Sequence, residues 1–154
     1  GLSPGDGLMN IHNLLLPIIT QHYISAIYLN YKPESGEIIY SYGGHHPMLH
    51  FTSEYETSDI EGSGMLLLAV PSPEFKNYSF VLKKGEKILL YSDGLYEIRN
   101  RNNNLFGRTN FIRICKLASE KNPDFLEDVA NYSINFGGGN QTDDISLLLM
   151  ERLK

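Results

Sequence analysis

The sequence predicts an α+β fold in which helices flank a mostly antiparallel β-sheet or sandwich. Three observations lead to this prediction. An amphipathic helical segment opens the chain, a series of short β-branched and aromatic segments separated by turns follows, and two helical segments precede a final apolar strand. Strands that follow one another, rather than alternating with helices, are typical of antiparallel sheets.

The first half of the chain is expected to hold a helix followed by strands. Ser3 suits an N-cap and Pro4 the first helical position, and the apolar spacing predicts a helix from about Pro4 to Leu16, ended by Pro17. Strands over 23–31 and 37–42 then form a hairpin with a four-residue connection at 33–36. Further strands are expected at 48–52, 65–70, 78–82 and 86–91, with a polar loop over 54–64.

The second half changes to helical periodicity. Apolar residues recur at helical spacing over 106–118 and again over 124–136, which predicts a pair of helices. The triple glycine at 137–139 ends the second helix, and a last strand is expected over 145–150. A phosphate cradle at the glycines is the alternative, but no helix follows them, so a flexible loop is the preferred interpretation.

Composition sets limits on function. The chain of 154 residues suits a single domain, and its net charge of −5 argues against nucleic acid as the main partner. Its one cysteine, Cys115, lies at helical spacing and is expected to be a buried structural thiol. No apolar run approaches the ~20 residues that span a membrane, and no secretory signal is visible, so we expect a cytoplasmic protein in which this segment makes no contact with a membrane.

Two aspartates stand next to apolar runs. Asp93 ends one run and Asp143 precedes another, so antiparallel pairing of the two strands would bring both carboxylates to one rim, roughly 5 Å apart. Carboxylates at that distance repel one another unless a proton or a cation lies between them, and a magnesium or manganese ion fits oxygen ligands. Asp144 points to the opposite pleat. The alternative is a turn aspartate in Asp93-Gly94 and a solvated loop aspartate at Asp143.

The adjacent histidines His45 and His46 invite a metal or acid-base interpretation. Neighbouring side chains of an extended segment face opposite ways, so the two cannot both reach one ion. A structural role in a tight bend is therefore expected for this pair. His12 and His22 are expected to be surface or satisfied core residues.

Five segments, in order, resemble those of a known family. The segment Tyr-Ser-Asp-Gly-Leu-Tyr-Glu at 91–97 is similar to the aromatic-Thr/Ser-Asp-Gly segment of metal-dependent type 2C protein serine/threonine phosphatases, and more closely to the bacterial branch of sporulation and sigma-factor regulators (SpoIIE/RsbU-like). The other resembling segments are 40–49, 62–70 (with Ala69 in place of the usual glycine), 83–91 and 142–149. Each is weak alone, but the ordered set is specific.

The resemblance implies a phosphatase with two manganese or magnesium ions in an αββα domain. The positions of Asp93 and Asp143 correspond to metal ligands in that family, and Gly94 and Asp144 beside them are supporting candidates. The implied reaction is hydrolysis of phosphoserine or phosphothreonine by water activated between two cations. The implied substrate is a phosphorylated regulatory protein, such as an antagonist of an anti-sigma factor.

Two family segments that lie upstream, Gly-Asp-x-x-Asp and Asp-x-Ser-Gly-His-Gly, do not occur in this chain. Gly5-Asp6-Gly7 is not a substitute, because it lies within the predicted first helix. We therefore expect residues 1–154 to be the C-terminal part of the domain, without its N-terminal strands, with weak or no metal binding and little turnover. Open strand edges would favour a homodimer or a strand-swapped assembly.

Two other classes of function stay open. A non-catalytic regulatory module with the same fold would bind a partner protein without hydrolysing anything. A plain ligand-binding α+β domain would carry the aspartates by coincidence. The presence or absence of an upstream Gly-Asp-x-x-Asp segment separates the enzyme from the regulatory module.

Overall fold

The structure is a computed structural model that describes residues 1–121, 124–139 and 143–153. It contains helices and antiparallel sheets, as the sequence predicts. In chain order the elements are α1 (Pro4–Leu15), β1 (Ala26–Lys32), β2 (Glu37–Gly43), β3 (Leu49–Phe51), β4 (Thr57–Asp59), β5 (Tyr78–Val81), β6 (Lys87–Tyr91), a 3₁₀ turn (Asp93–Leu95), α2 (Arg108–Lys121), α3 (Phe125–Gly137) and β7 (Leu147–Glu151).

The chain divides into two compact units. The first unit comprises Gly1–Pro47 and Ile60–Lys84, and the second comprises Met48–Asp59 and the residues from Gly85 onward. Each unit holds one antiparallel sheet together with its own helix or helices.

The first unit is built on a three-stranded sheet in the order β1-β2-β5. The β1–β2 hairpin pairs Lys32 with Glu37 across the predicted four-residue turn, and Gly36 in that turn has a φ of 78°. Helix α1 starts as predicted, since the Ser3 hydroxyl accepts a hydrogen bond from the Asp6 amide at 3.2 Å. The hairpin and the first helix are therefore confirmed.

His12 of α1 is a satisfied core histidine. Its side chain is fully buried, and its Nδ1 accepts a hydrogen bond from the Leu68 amide at 3.1 Å. Its Nε2 lies 3.3 Å from the carbonyl oxygen of Pro71, so the ring connects the helix to the 68–71 segment. This arrangement is one of the two that the sequence left open for this residue.

The prediction of a strand over 65–70 is wrong. In that segment the structure has an isolated antiparallel bridge between Ile24 and Leu67. Leu68 has a φ of 70°, a left-handed conformation that cannot continue a strand. The apolar run is there because Leu67 and Leu68 pack in a small core with Leu8 and Phe75.

The second unit is built on a four-stranded sheet in the order β4-β3-β6-β7. The predicted loop over 54–64 is wrong in part, because it contains β4, a short polar strand that pairs with β3. Polar residues at a sheet edge lack the apolar alternation that predicts a strand. Although only a short connection separates them in sequence, β5 and β6 belong to different sheets.

The predicted helix pair is confirmed as α2 and α3. Both pack on the second sheet through one core of buried apolar residues, which includes Phe51, Leu89, Phe111, Cys115, Phe125 and Val129. Cys115 is buried, and burial raises the pKa of its thiol, as expected for a structural cysteine. Gly138, in a left-handed conformation with a φ of 59°, caps α3, so this glycine ends a helix and does not begin one.

Candidate functional site

The site is built where strand β6 ends and strand β7 begins. The two strands are antiparallel neighbours, with Lys87 opposite Glu151 and Tyr91 opposite Leu147. Asp93 follows Tyr91 by two positions, and Asp143 precedes Leu147 by four. The two aspartates therefore lie at the same end of adjacent strands, as the sequence argument required; we call this end the aspartate rim. The first two residues of the second motif, Gln141 and Thr142, lie outside the described residues.

Ser92 joins the two chain segments of the rim. Its hydroxyl donates a hydrogen bond to the carbonyl oxygen of Asp144 at 2.9 Å and accepts one from the amide of Ser146 at 2.8 Å. The Ser92 amide donates to the carbonyl oxygen of Ser146 at 3.0 Å. These bonds continue the β6–β7 contact beyond the last paired residues of the ladder.

Gly94 brings the backbones of the rim into close contact. A Cβ atom added at this position would lie 3.4 Å from the carbonyl oxygen of Asp143 and would overlap with that of Asp144. Real Cβ atoms essentially never come this close to another heavy atom. The close approach of the backbone before β7 therefore requires a glycine at position 94, in addition to any preference of the turn for glycine.

The carboxylates themselves are on the surface. Asp93, Asp143 and Asp144 are all exposed. Asp93 opens the 3₁₀ turn, and its carbonyl oxygen accepts hydrogen bonds from the amides of Tyr96 and Glu97, both at 2.9 Å. One carboxylate oxygen of Asp143 accepts a hydrogen bond from the Asp144 amide at 2.8 Å.

Tyr96 lies within electrostatic reach of the rim. Burial raises the pKa of its phenol, and the negative charge of Asp93 raises this pKa further. The acid at position 93 is therefore close enough to the tyrosine to disfavour a second negative charge there.

The donor chemistry of the rim fits a hard divalent cation, which prefers carboxylate oxygens. Magnesium and calcium sites commonly use about six or more oxygen ligands, including water. Over the ranges that the structure describes, no group of three or more histidine, cysteine, aspartate or glutamate side chains is arranged to hold a metal ion. The rim thus offers carboxylate oxygens, the ligand type that such a cation prefers.

The histidine pair has a separate arrangement in the first unit. His45 Nδ1 lies 2.8 Å from the carbonyl oxygen of His46, and the two ring centroids are 4.0 Å apart. The expectation that the two side chains face opposite ways is wrong, because the bend after Gly44, which has a φ of 74°, interrupts the extended backbone and the rings lie side by side. The contact of His45 Nδ1 with the His46 carbonyl oxygen is compatible with a structural role.

Sequence reasoning missed a polar network in the second unit. Arg108 donates two hydrogen bonds to the Asp59 carboxylate, at 3.1 and 2.6 Å, and two to the Tyr91 hydroxyl, at 3.2 and 2.9 Å. Burial raises the pKa of Tyr91 to about 12. Asp59 and Arg108 are 49 positions apart, so no local pattern could have linked them. The role of Ser92 was missed for the same reason.

Comparison with known proteins places this geometry in context. A family model described as Stage II sporulation protein E (SpoIIE) matches residues 1–153. The phosphoserine phosphatase RsbU of Bacillus subtilis is 28% identical over 104 residues, which are 66% of this chain and 31% of RsbU. The chain therefore spans about a third of the length of that relative.

Two solved structures share the fold. The RsbU and RsbW domains of Rv1364c from Mycobacterium tuberculosis align with a TM-score of 0.84 at 23% identity, covering 99% of this chain and 43% of that one. The manganese-presoaked phosphatase domain of SpoIIE from Bacillus subtilis aligns with a TM-score of 0.70 at 15% identity, covering 100% of this chain and 67% of that one. The mixed helix and antiparallel-sheet architecture is thus that of phosphatase domains.

Proposed function

Because this chain belongs to the Stage II sporulation protein E family, we propose that it forms part of a protein serine/threonine phosphatase that depends on manganese or magnesium. The observation that carries the proposal is the antiparallel pairing of β6 with β7, which places Asp93 and Asp143 at one rim. The RsbU relative, described as a phosphoserine phosphatase, supports the same reaction. The manganese-presoaked SpoIIE domain supports the choice of cation.

Asp93 and Asp143 are the proposed metal ligands of this chain. When bound, a divalent cation supplies positive charge next to the phosphoryl oxygens and lowers the pKa of a water molecule. Both carboxylates are exposed, so a phosphorylated side chain can approach them from solvent. Gly94 supports the site because it lets the Asp143–Asp144 backbone approach the turn. Asp144 supports it through its amide, which donates to the Asp143 carboxylate.

The proposed substrate is a phosphoserine or phosphothreonine on a regulatory protein of the sigma-factor control type. A similar solved structure contains RsbU and RsbW domains together, which supports a regulatory protein as the partner of this chain.

The proposed location is the cytoplasm. The single cysteine, buried and free, is compatible with that reducing environment. The helices in the described ranges do not combine the length and hydropathy of a membrane span.

A non-catalytic module that binds a partner protein is the second candidate. The observation in its favour is that the described residues offer no cluster of three or more metal-binding side chains. Such a module would keep the fold and the binding surface but would lack turnover.

The test uses the longest natural form of the protein that contains these residues. We expect manganese-dependent hydrolysis of p-nitrophenyl phosphate and of a phosphoserine peptide. We expect Asp93→Asn and Asp143→Asn each to lower it roughly 100-fold or more, because a lost ligand removes several kcal/mol of charge stabilisation. Glu127→Gln is the matched control, since it removes an exposed carboxylate from α3 in the same unit.

Undiminished turnover in either aspartate variant would contradict the proposed ligands. A wild-type protein that binds a phosphorylated partner but hydrolyses neither substrate would support the non-catalytic module instead.

A further inference from the structure

We propose that Ser92 is a positioning residue for the cation site, and that its hydroxyl holds the Asp143–Asp144 segment against the turn that starts at Asp93. The inference rests on the proposed function of the aspartate rim. It concerns a residue that contacts neither the cation nor the substrate in the proposed mechanism and acts through its neighbours.

The hydroxyl of Ser92 bridges two backbone groups of the facing segment. It donates its proton to the Asp144 carbonyl oxygen at 2.9 Å and accepts a hydrogen bond from the Ser146 amide at 2.8 Å. A hydroxyl has one proton to donate and lone pairs to accept, so both bonds form at once. Together they use the one donor and one of the two acceptor lone pairs of this hydroxyl, on residues 52 and 54 positions away.

These bonds act on a stretch beyond the paired strands, where the main chain adds a bond from the Ser92 amide to the Ser146 carbonyl oxygen. The paired register of β6 and β7 stops at Tyr91 opposite Leu147, so residues 143–146 lie outside the ladder. Ser92 contacts the backbone of this stretch, and the neighbouring Gly94 packs on the carbonyl oxygens of Asp143 and Asp144. Removing the hydroxyl would take away two of the three hydrogen bonds between Ser92 and this stretch, and would keep the bond from the Ser92 amide to the Ser146 carbonyl oxygen and the paired strands. The backbone next to Asp143 would thereby be held less firmly.

The chemistry distinguishes between substitutions. Alanine removes both hydroxyl bonds, whereas threonine keeps a hydroxyl on the same Cβ. Ser92 has an extended backbone, with φ of −92° and ψ of 159°, which a β-branched residue readily adopts. Ser92→Thr is therefore the conservative variant.

Ser146→Ala is the matched control for the loss of a serine hydroxyl. Ser146 takes part in the contact with Ser92 through its backbone amide and carbonyl oxygen, and its side chain is exposed. The alanine variant at this position keeps all three bonds to Ser92.

The first measurement does not depend on activity. We expect the amide of residue 146 to exchange its hydrogen roughly 5- to 10-fold faster in Ser92→Ala than in the wild type, measured by NMR and corrected for intrinsic rates. Ser92→Thr and Ser146→Ala are expected to keep the wild-type protection. An unchanged exchange rate in Ser92→Ala overturns the inference.

The second measurement concerns the cation, in the longest natural form of the protein. Half-saturating manganese is expected to rise about 10- to 100-fold in Ser92→Ala, as is found when groups that orient metal ligands are removed. The rise should appear both in hydrolysis and in the paramagnetic broadening of the Asp93 and Asp143 amide signals. Ser92→Thr should restore the wild-type value.

The outcomes separate the two proposals. Equal broadening by manganese in the wild type and Ser92→Ala overturns the role of Ser92 and leaves the proposed function intact. A lower melting temperature with an unchanged manganese response assigns Ser92 a structural role only, and this also overturns the inference. If the wild type shows neither broadening nor hydrolysis, the proposed function fails first and the inference fails with it.

Discussion

Individual residues at the aspartate rim are constrained by backbone packing as much as by charge. Asp93 and Asp143 are exposed. Gly94, which follows Asp93, is buried and packs against the carbonyl oxygen of Asp144. Asp-Gly is a frequent turn pair, and a turn alone would explain it. The contact with the backbone of Asp143 and Asp144 adds a second requirement, which only a residue without a side chain satisfies.

Gly94→Ala is expected to destabilise the protein by roughly 1–3 kcal/mol, because the new Cβ meets backbone and cannot be relieved by a side-chain rotation. Urea denaturation with an unchanged m-value measures this loss. The variant should also weaken the response to manganese.

Gly107→Ala is the comparison for Gly94→Ala. Gly107 has a φ of 79°, but a Cβ there would meet nothing within 4 Å. Its substitution should strain the backbone locally without altering the manganese response. A Gly94→Ala protein with wild-type stability would show that the close approach does not constrain the rim.

At the scale of elements, side chains join strands that are distant in sequence. His50 of β3 and Glu86, just before β6, form a buried contact of 3.0 Å between Nε2 and a carboxylate oxygen. The Glu86 carbonyl oxygen also accepts a hydrogen bond from the Arg152 amide at 3.1 Å, just past the end of β7. Glu86 therefore contacts the neighbours of β6 on both sides.

Glu86→Ala is expected to lower the free energy of unfolding by about 3 kcal/mol, since it leaves the buried His50 ring without this partner. Glu86→Gln should cost less, because an amide oxygen can still accept a hydrogen bond from the ring. Thermal and urea unfolding measure both losses.

The matched control for Glu86 is Glu56→Ala. Glu56 pairs with Lys116 at 3.0 Å in the same unit, but its side chain is 71% exposed. Its loss should change stability by no more than about 1 kcal/mol. Equal losses in the two alanine variants would argue against a special contribution of the buried pair.

At the scale of the whole molecule, the fold is that of a phosphatase domain, but the chain spans 31% of RsbU and 67% of the SpoIIE structure. The described residues contribute two proposed ligands, fewer than a tight hard-cation site requires. A functional cation site therefore requires oxygen ligands besides Asp93 and Asp143.

The chain of 154 residues by itself is expected to hydrolyse p-nitrophenyl phosphate weakly or not at all in manganese, and a form extended upstream to hydrolyse it readily. Equal, robust rates in both forms would refute this expectation.

Light scattering on the chain of 154 residues should show a dimer or a larger assembly. A clean monomer at high concentration would count against the expected homodimer.

Local patterns were enough for several features. The Ser3 cap, the β1–β2 hairpin and the helix pair follow from periodicity, capping and turn chemistry, which act over a few residues. The apolar runs of β6 and β7 are also local signals, but the pairing of these strands, which forms the rim, was a hypothesis that only the tertiary structure could test. The ordered motifs also led to the family, which the match over residues 1–153 confirms. The assignment of Asp93 and Asp143 as metal ligands stays a prediction.

Tertiary structure alone decided the rest. It placed β5 and β6 in different sheets, turned the apolar run at 65–70 away from strand geometry, and brought Ser92 onto the backbone of residues 144–146. The physical reason is that strand pairing and side-chain bridges depend on contacts between residues tens of positions apart. Propensity and periodicity specify which segments can be strands or helices, and packing selects their partners.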